Sequence, residues 1–142
     1  MPIREENRAR YPAEWKAISL AVREAAGQRC EQCNVRNHAI IFRGFHGDRR
    51  AYRYQGDPVF LPSRCALDGS ELLGTSWDDF HLVGTAKVIL TVAHLDHQPE
   101  NCARENLKAL CQRCHNAYDA PMRRAGIRDR YRSSLAVGDL LK

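Results

Sequence analysis

Nowhere in the 142 residues do eighteen apolar side chains run together, so no segment reads as a transmembrane helix. The opening MPIREENRAR is charged where an export signal needs an apolar stretch. The expectation is a soluble, unexported, cytoplasmic chain with no membrane partner. A glycine-rich phosphate loop and a GxSxG element are both lacking, which leaves no signal for the chemistry those motifs carry. Neighbouring carboxylates such as Asp78 and Asp79 would point to opposite faces of an extended segment, so a glycosidase-like pair has little support. Aromatic residues make up only 8% and are not interleaved with basic ones on a recognisable RNA-binding scaffold. Internal repeats and low-complexity tracts are lacking too.

What is present is enough for one domain, residues 1–142, with 44% apolar residues. Six cysteines occur, and four of them form two CxxC pairs, Cys30/Cys33 and Cys111/Cys114. In a chain without an export signal this favours metal over disulfides. Four thiolates give Zn²⁺ a closed tetrahedral shell, and a closed shell cannot bind substrate, so such a zinc is structural. Coupled to folding, it supplies roughly 10–16 kcal/mol of apparent binding free energy in zinc-finger peptides. The alternatives are a redox-active CxxC, whose usual βαβ setting is missing here, and a grouping that recruits His115. Cys65 and Cys102 lack such spacing and read as ordinary reduced thiols.

The formal charge of +5 is uneven. Residues 1–30 carry six basic and four acidic side chains, residues 31–120 ten and eleven, and residues 121–142 six and two. Arg123, Arg124, Arg128, Arg130 and Arg132 are thus the main cationic feature, suited either to phosphates or to a solvated helix face.

The apolar pattern Trp15, Ile18, Leu20, Val22, Ala25 predicts a helix over 12–26, with Pro12 in its first turn and Gly27 past its end. Residues 38–61 flank the turns HGDRR and QGDP with Ile40, Ile41, Phe42, Tyr52, Tyr54, Val59 and Phe60, which predicts short strands. Residues 62–80 show no firm period. Order returns in KVILTVAHL, a largely buried strand ending at His94; NLKAL supplies a second strand, and CQRCHNAYDA begins a helix expected to stop at Pro121. Another helix is expected beyond it, with Met122, Ile127, Tyr131 and Leu135 on one side. His38, His46 and His81 have no partner at a ligand spacing, and Trp15 and Trp77 suggest packing.

The segment VAHLDHQPENCARENLKALCQRCHNAYD resembles the HNH endonuclease motif, a ββα-metal finger in its four-cysteine, zinc-containing branch. A histidine closes the first strand, an asparagine opens the second, and a histidine follows CxxC on the helix. The resemblance implies an α+β, treble-clef-like domain. In it residues 30–33 and 111–114 form the zinc knuckle halves, residues 88–119 the ββα-metal core, and residues 121–142 a basic segment whose arginines contact DNA phosphates.

The resemblance further implies that His94 is the general base, that Asn106 orients its imidazole or contacts the metal, and that His115 ligates a catalytic Mg²⁺, Mn²⁺ or other divalent ion. That ion would bridge the scissile phosphate and the departing 3′ oxygen, leaving 5′-phosphate and 3′-hydroxyl ends. A neutral imidazole, with an ordinary pKa of roughly 6.5, suits the base. One position departs from the family: Ala93 stands where Asp or His usually supplies a second ligand. Asp96, on the same strand face as His94 if the strand continues, is the first replacement, and Asp119, one helical turn after His115, the second. His97 is an alternative base, although the twelve positions from His94 to Asn106 favour His94. The rival function is a catalytically silent, zinc-stabilised module that binds DNA or a partner.

Overall fold

The computed structural model describes residues 5–74 and 76–140, with side chains up to residue 134. A 3-10 turn at Glu5–Arg10 leads into helix α1, Trp15–Ala25. Trp15, Ile18, Val22 and Ala26 lie on one side of it and pack on Val92, Leu107 and Ala109. Leu20 and Ala25 share the apolar pattern but face outward. Gly27, at φ 61°, closes the helix in the left-handed region that glycine adopts without strain.

After the first cysteine pair come β1 (Ile40–His46) and β2 (Arg49–Tyr54), joined through Gly47–Asp48 with Gly47 at φ 57°. The stretch without period, residues 62–80, contributes two short strands, β3 (Ser63–Cys65) and β4 (Glu71–Leu72). Their brevity explains why no alternation shows. With β5 (Phe80–Lys87) they complete an antiparallel sheet of order β4-β3-β2-β1-β5. Val59 and Phe60, counted above among strand residues, lie instead in an exposed loop. Buried Arg53 gathers that loop by donating to the carbonyls of Pro58, Val59 and Leu61.

A separate antiparallel hairpin, β6 (Leu90–His94) and β7 (Leu107–Cys111), pairs His94 with Leu107 and Leu90 with Cys111. Helix α2 starts at once, as Gln112–Leu140. The expected stop at Pro121 does not occur. Pro121 and Ala117 are both exposed, so the ring projects into solvent and the carbonyl left without a donor remains open to water. The architecture is mixed α+β. Its largest core gathers the four CxxC cysteines with Val35, Ile41, Tyr52, Tyr54, Val88, Leu90, Ala93 and Leu110, so the thiols sit where sheet, hairpin and α2 meet. Among the described residues no helix is long and apolar enough to cross a membrane.

Candidate functional site

The thiols of Cys30, Cys33, Cys111 and Cys114 are buried and lie within 4.8 Å of one another. Cys33 Sγ and Cys111 Sγ are 3.8 Å apart. A tetrahedral zinc with bonds of about 2.3 Å sets its sulfurs about 3.8 Å apart, whereas a disulfide requires about 2.05 Å. All four are free thiols, and the donor set fits a structural zinc. Local backbone geometry aims them. Asn34 N donates to Cys30 O at 2.8 Å, with Asn34 in the left-handed region at φ 57°, and Cys30 N donates to Val35 O at 2.9 Å. The knuckle is tied down where Glu31 N donates to Ala109 O and the Tyr52 hydroxyl donates to Cys33 O, each at 2.9 Å. Gly69, at φ 78°, lies so close to the knuckle that a Cβ there would meet Cys33 O at 2.5 Å.

Cys111 ends β7 and Cys114 stands in the first turn of α2. Thiol hydrogen bonds, led by that from Cys111, pull Cys30 down, and those led by Cys114 bring Cys111 to about 7. Cys33 and Cys114 are pushed up, chiefly by Cys111. Four adjacent sulfurs cannot all ionise unaided; a divalent cation would keep all four as thiolates.

His94, at the end of β6, is only 8% exposed. Its ring stacks on Trp15 at 4.8 Å and 27°, and Tyr11 meets it edge-on at 5.7 Å. Cys102 Sγ lies 3.8 Å from its Nε2. Tyr11 is held in place because Arg10 bridges Glu100 with two bonds, at 2.6 and 3.0 Å. Burial pushes the His94 pKa below its ordinary value, opposed by Asp96 and Glu100, and nearby His115 pushes it down further. The imidazole is thereby kept neutral.

His115 sits on the first turns of α2. Its Nδ1 is 2.7 Å from Thr91 Oγ1, which also lies 3.3 Å from Leu110 O. The other ring nitrogen, Nε2, faces Asp119 Oδ2 at 3.5 Å; it presents a lone pair there when Nδ1–H donates to Thr91, and an N–H when the Thr91 hydroxyl donates to Nδ1. Burial lowers the His115 pKa, with Asp119 opposing. The other carboxylate oxygen, Asp119 Oδ1, lies 3.6 Å from His97 Nδ1. The His97 ring stacks on Tyr118 at 5.2 Å and 23°. Since His115 bonds Thr91 and faces Asp119, it is turned away from the thiols, and the zinc grouping that recruits it is not the one formed.

Asp96 and Asp119 are placed differently, Asp119 facing His115 and His97 and Asp96 committed to a turn. Strand β6 stops at His94, and Asp96 lies in the following loop rather than on the strand face. There its carboxylate accepts from Gln98 N at 2.8 Å, Asn101 Nδ2 at 2.7 Å and Asn106 Nδ2 at 2.9 Å, which hold it below the usual carboxylate range. This is the turn-forming aspartate. Asn106 likewise bonds the loop and not the His94 ring: its Nδ2 also donates to Asn101 O at 2.8 Å and its Oδ1 accepts from Asp96 N at 3.0 Å.

Arg123, Arg124, Arg128, Arg130 and Arg132 are exposed along α2, and Arg123 donates to Asn116 O. Tyr11, Trp15, Thr91 and Cys102, all in contact with the two central histidines, carried no signal at the level of motif spacing. No family model, curated protein or solved structure matches this chain.

Proposed function

We propose that the chain is a metal-dependent DNA endonuclease of the HNH kind, built on a treble-clef-like core whose four cysteines hold a structural zinc. The observation that carries this is Asp119, one carboxylate set between two imidazoles beside a third, His94, kept neutral by burial. In the tautomer whose Nδ1–H donates to Thr91, the His115 Nε2 lone pair faces the carboxylate, and a cation between them would relieve the repulsion. Nitrogen and oxygen ligands about 2.0–2.2 Å from one ion are about 2.8–3.6 Å apart, and the 3.5 Å from His115 Nε2 to Asp119 Oδ2 falls within that range. His115 and Asp119 would hold the ion, with Asp119 taking over from the ligand that Ala93 cannot provide; His97 faces the other carboxylate oxygen and would lie beside the ion rather than on it.

A divalent ion bound there supplies positive charge to the phosphodiester transition state and to the departing oxygen. The protein's own groups do the rest. Neutral His94 accepts a proton from water as the water oxygen bonds to phosphorus; the bond from phosphorus to the 3′ oxygen breaks, and the leaving oxygen takes a proton from solvent. Thr91 holds the His115 ring, while Trp15 and Tyr11 fix the plane of His94.

A second reading is favoured by Ala93 and by the close cover of Tyr11 and Trp15 on His94: a silent zinc-stabilised module that binds DNA. Electron paramagnetic resonance of zinc-loaded protein titrated with Mn²⁺ separates the two. The nuclease binds one further ion, loses it in Asp119→Ala while keeping its zinc, and nicks supercoiled plasmid only when that ion is present. A protein that shifts DNA mobility but takes up no Mn²⁺ is the silent module.

A further inference from the structure

A groove runs between the β1–β2 hairpin and the first turns of α2, with Cys114 of the thiol cluster in one wall. One end is lined by Arg49, Arg50, Asp68 and Arg113, the other by Leu95, Lys108, Arg113 and Tyr118; Leu67 and Arg113 border both, so the two halves are continuous. Arg113 is anchored in the floor by donating to Ala66 O. Arg49 and Arg50 stand exposed just past the hairpin turn, and among the described residues neither is in an ion pair. Two aspartates also line this end: Asp68 accepts from Ser70, through its N at 3.0 Å and its Oγ at 2.7 Å, and Asp48 stands in the hairpin turn beside Arg49, so the arginines outnumber the carboxylates by one.

The far end of the groove touches the proposed metal site, because Tyr118 stacks on His97, which faces Asp119. Charge is partitioned to match. The β1–β2 hairpin, residues 40–54, carries four arginines against Asp48, and three of them remain once buried Arg53 is set aside, whereas residues 65–80 carry four acidic side chains and no basic one. The hairpin is therefore a second cationic element beside α2.

We propose that this groove is the track of a nucleic-acid strand. Its phosphates lie on Arg49, Arg50, Arg113 and Lys108, and the exposed side chains of Tyr118 and Leu67 offer an apolar face to a base or sugar, on the way to His97 and Asp119. The inference rests on the nuclease reading for its direction, and its test is kept independent of cleavage.

Fluorescence anisotropy of labelled single-stranded and duplex DNA is measured across a salt series, with zinc-loaded full-length protein and no added divalent ion. In the Arg49→Ala/Arg50→Ala variant, affinity at low salt falls about tenfold and the slope of log affinity against log salt drops by about two. Tyr118→Ala weakens the single strand more than the duplex. Circular dichroism and zinc content show that the variants are folded. Unchanged affinity and slope in the double variant would overturn the groove, as would poly-glutamate displacing DNA at equal charge, which points to an acidic protein partner. Groove-dependent binding without plasmid nicking sinks the nuclease alone; nicking with groove-independent binding sinks the groove alone.

Discussion

At the scale of single residues, the chemistry depends on two imidazoles in different environments. His94 is a buried ring between aromatic neighbours, and the cost of charging it there lowers its pKa. If His94 is the base of the proposed nuclease, it stays competent below the ordinary histidine value, and the acid limb of the rate profile is expected below about 6.5. The sign for stability is opposite to that of a histidine gaining a partner. As pH falls through about 6.5 the unfolded chain takes the proton first, and stability is lost progressively toward the lower folded-state value.

Trp15→Ala tests the cause. It removes a stacking ring at about 2 kcal/mol for a half-buried aromatic and lets water reach the imidazole. The His94 titration, followed by NMR, should then move up toward its ordinary value while melting temperature falls. A titration that stays low in a folded Trp15→Ala protein would mean that another group sets it. That His94 closes a strand and His115 follows Cys114 onto a helix was legible in the sequence. The contacts of Thr91, Trp15 and Tyr11 were not, because no spacing rule links a strand residue or a distant aromatic to the imidazole it contacts.

At the scale of elements, the β6–β7 hairpin and α2 place the site, and the loop between the strands decides which aspartate is available. Alternation along a strand predicts that Asp96 shares a face with His94, and it would if β6 continued. The Asx-type bonds from Gln98, Asn101 and Asn106 end the strand instead and commit that carboxylate to the turn. Asn106 is thus a loop organiser in the structure, satisfying three partners at once. Asn106→Ala leaves Asp96 N without its side-chain acceptor and should cost about 1–3 kcal/mol. Hydrogen exchange should accelerate across residues 95–106 and leave α1 and the β1–β2 hairpin unchanged; uniform acceleration would place Asn106 in the global core instead.

The same scale explains the other misread elements. Pro121 was expected to end a helix, but on a solvent-facing turn the lost bond is replaced by water. Residues 62–80 looked irregular because strands of three and two residues cannot display a period.

At the scale of the whole molecule, the two CxxC pairs join chain segments that are far apart in sequence, and their buried cluster is the hub of the largest core. The spacing of the two CxxC pairs made the four-cysteine cluster legible, and the pattern of strands and helices the α+β class. Composition hid the second cationic surface, because the arginines of residues 40–54 and the acids of residues 65–80 nearly cancel in a sum over the middle of the chain. With folding coupled to metal, Cys111→Ser or prolonged chelation should abolish cooperative unfolding altogether, given a metal contribution of roughly 10–16 kcal/mol against a typical stability of about 5–15 kcal/mol. A sharp melting transition that survives complete zinc removal would show that the core stands without it.

The central claim concerns the chemistry, and it is tested by nicking of supercoiled plasmid with zinc-loaded protein in Mg²⁺, Mn²⁺ or excess EDTA, comparing wild type with His94→Ala, His97→Ala and Asp119→Ala. The account predicts metal-dependent nicking that falls by roughly 10²–10⁴ in His94→Ala, as loss of a general base does. It also predicts a fall in Asp119→Ala, and activity largely kept in His97→Ala. Intact plasmid with every metal, or nicking unchanged in His94→Ala and abolished in His97→Ala at any metal concentration, would contradict it.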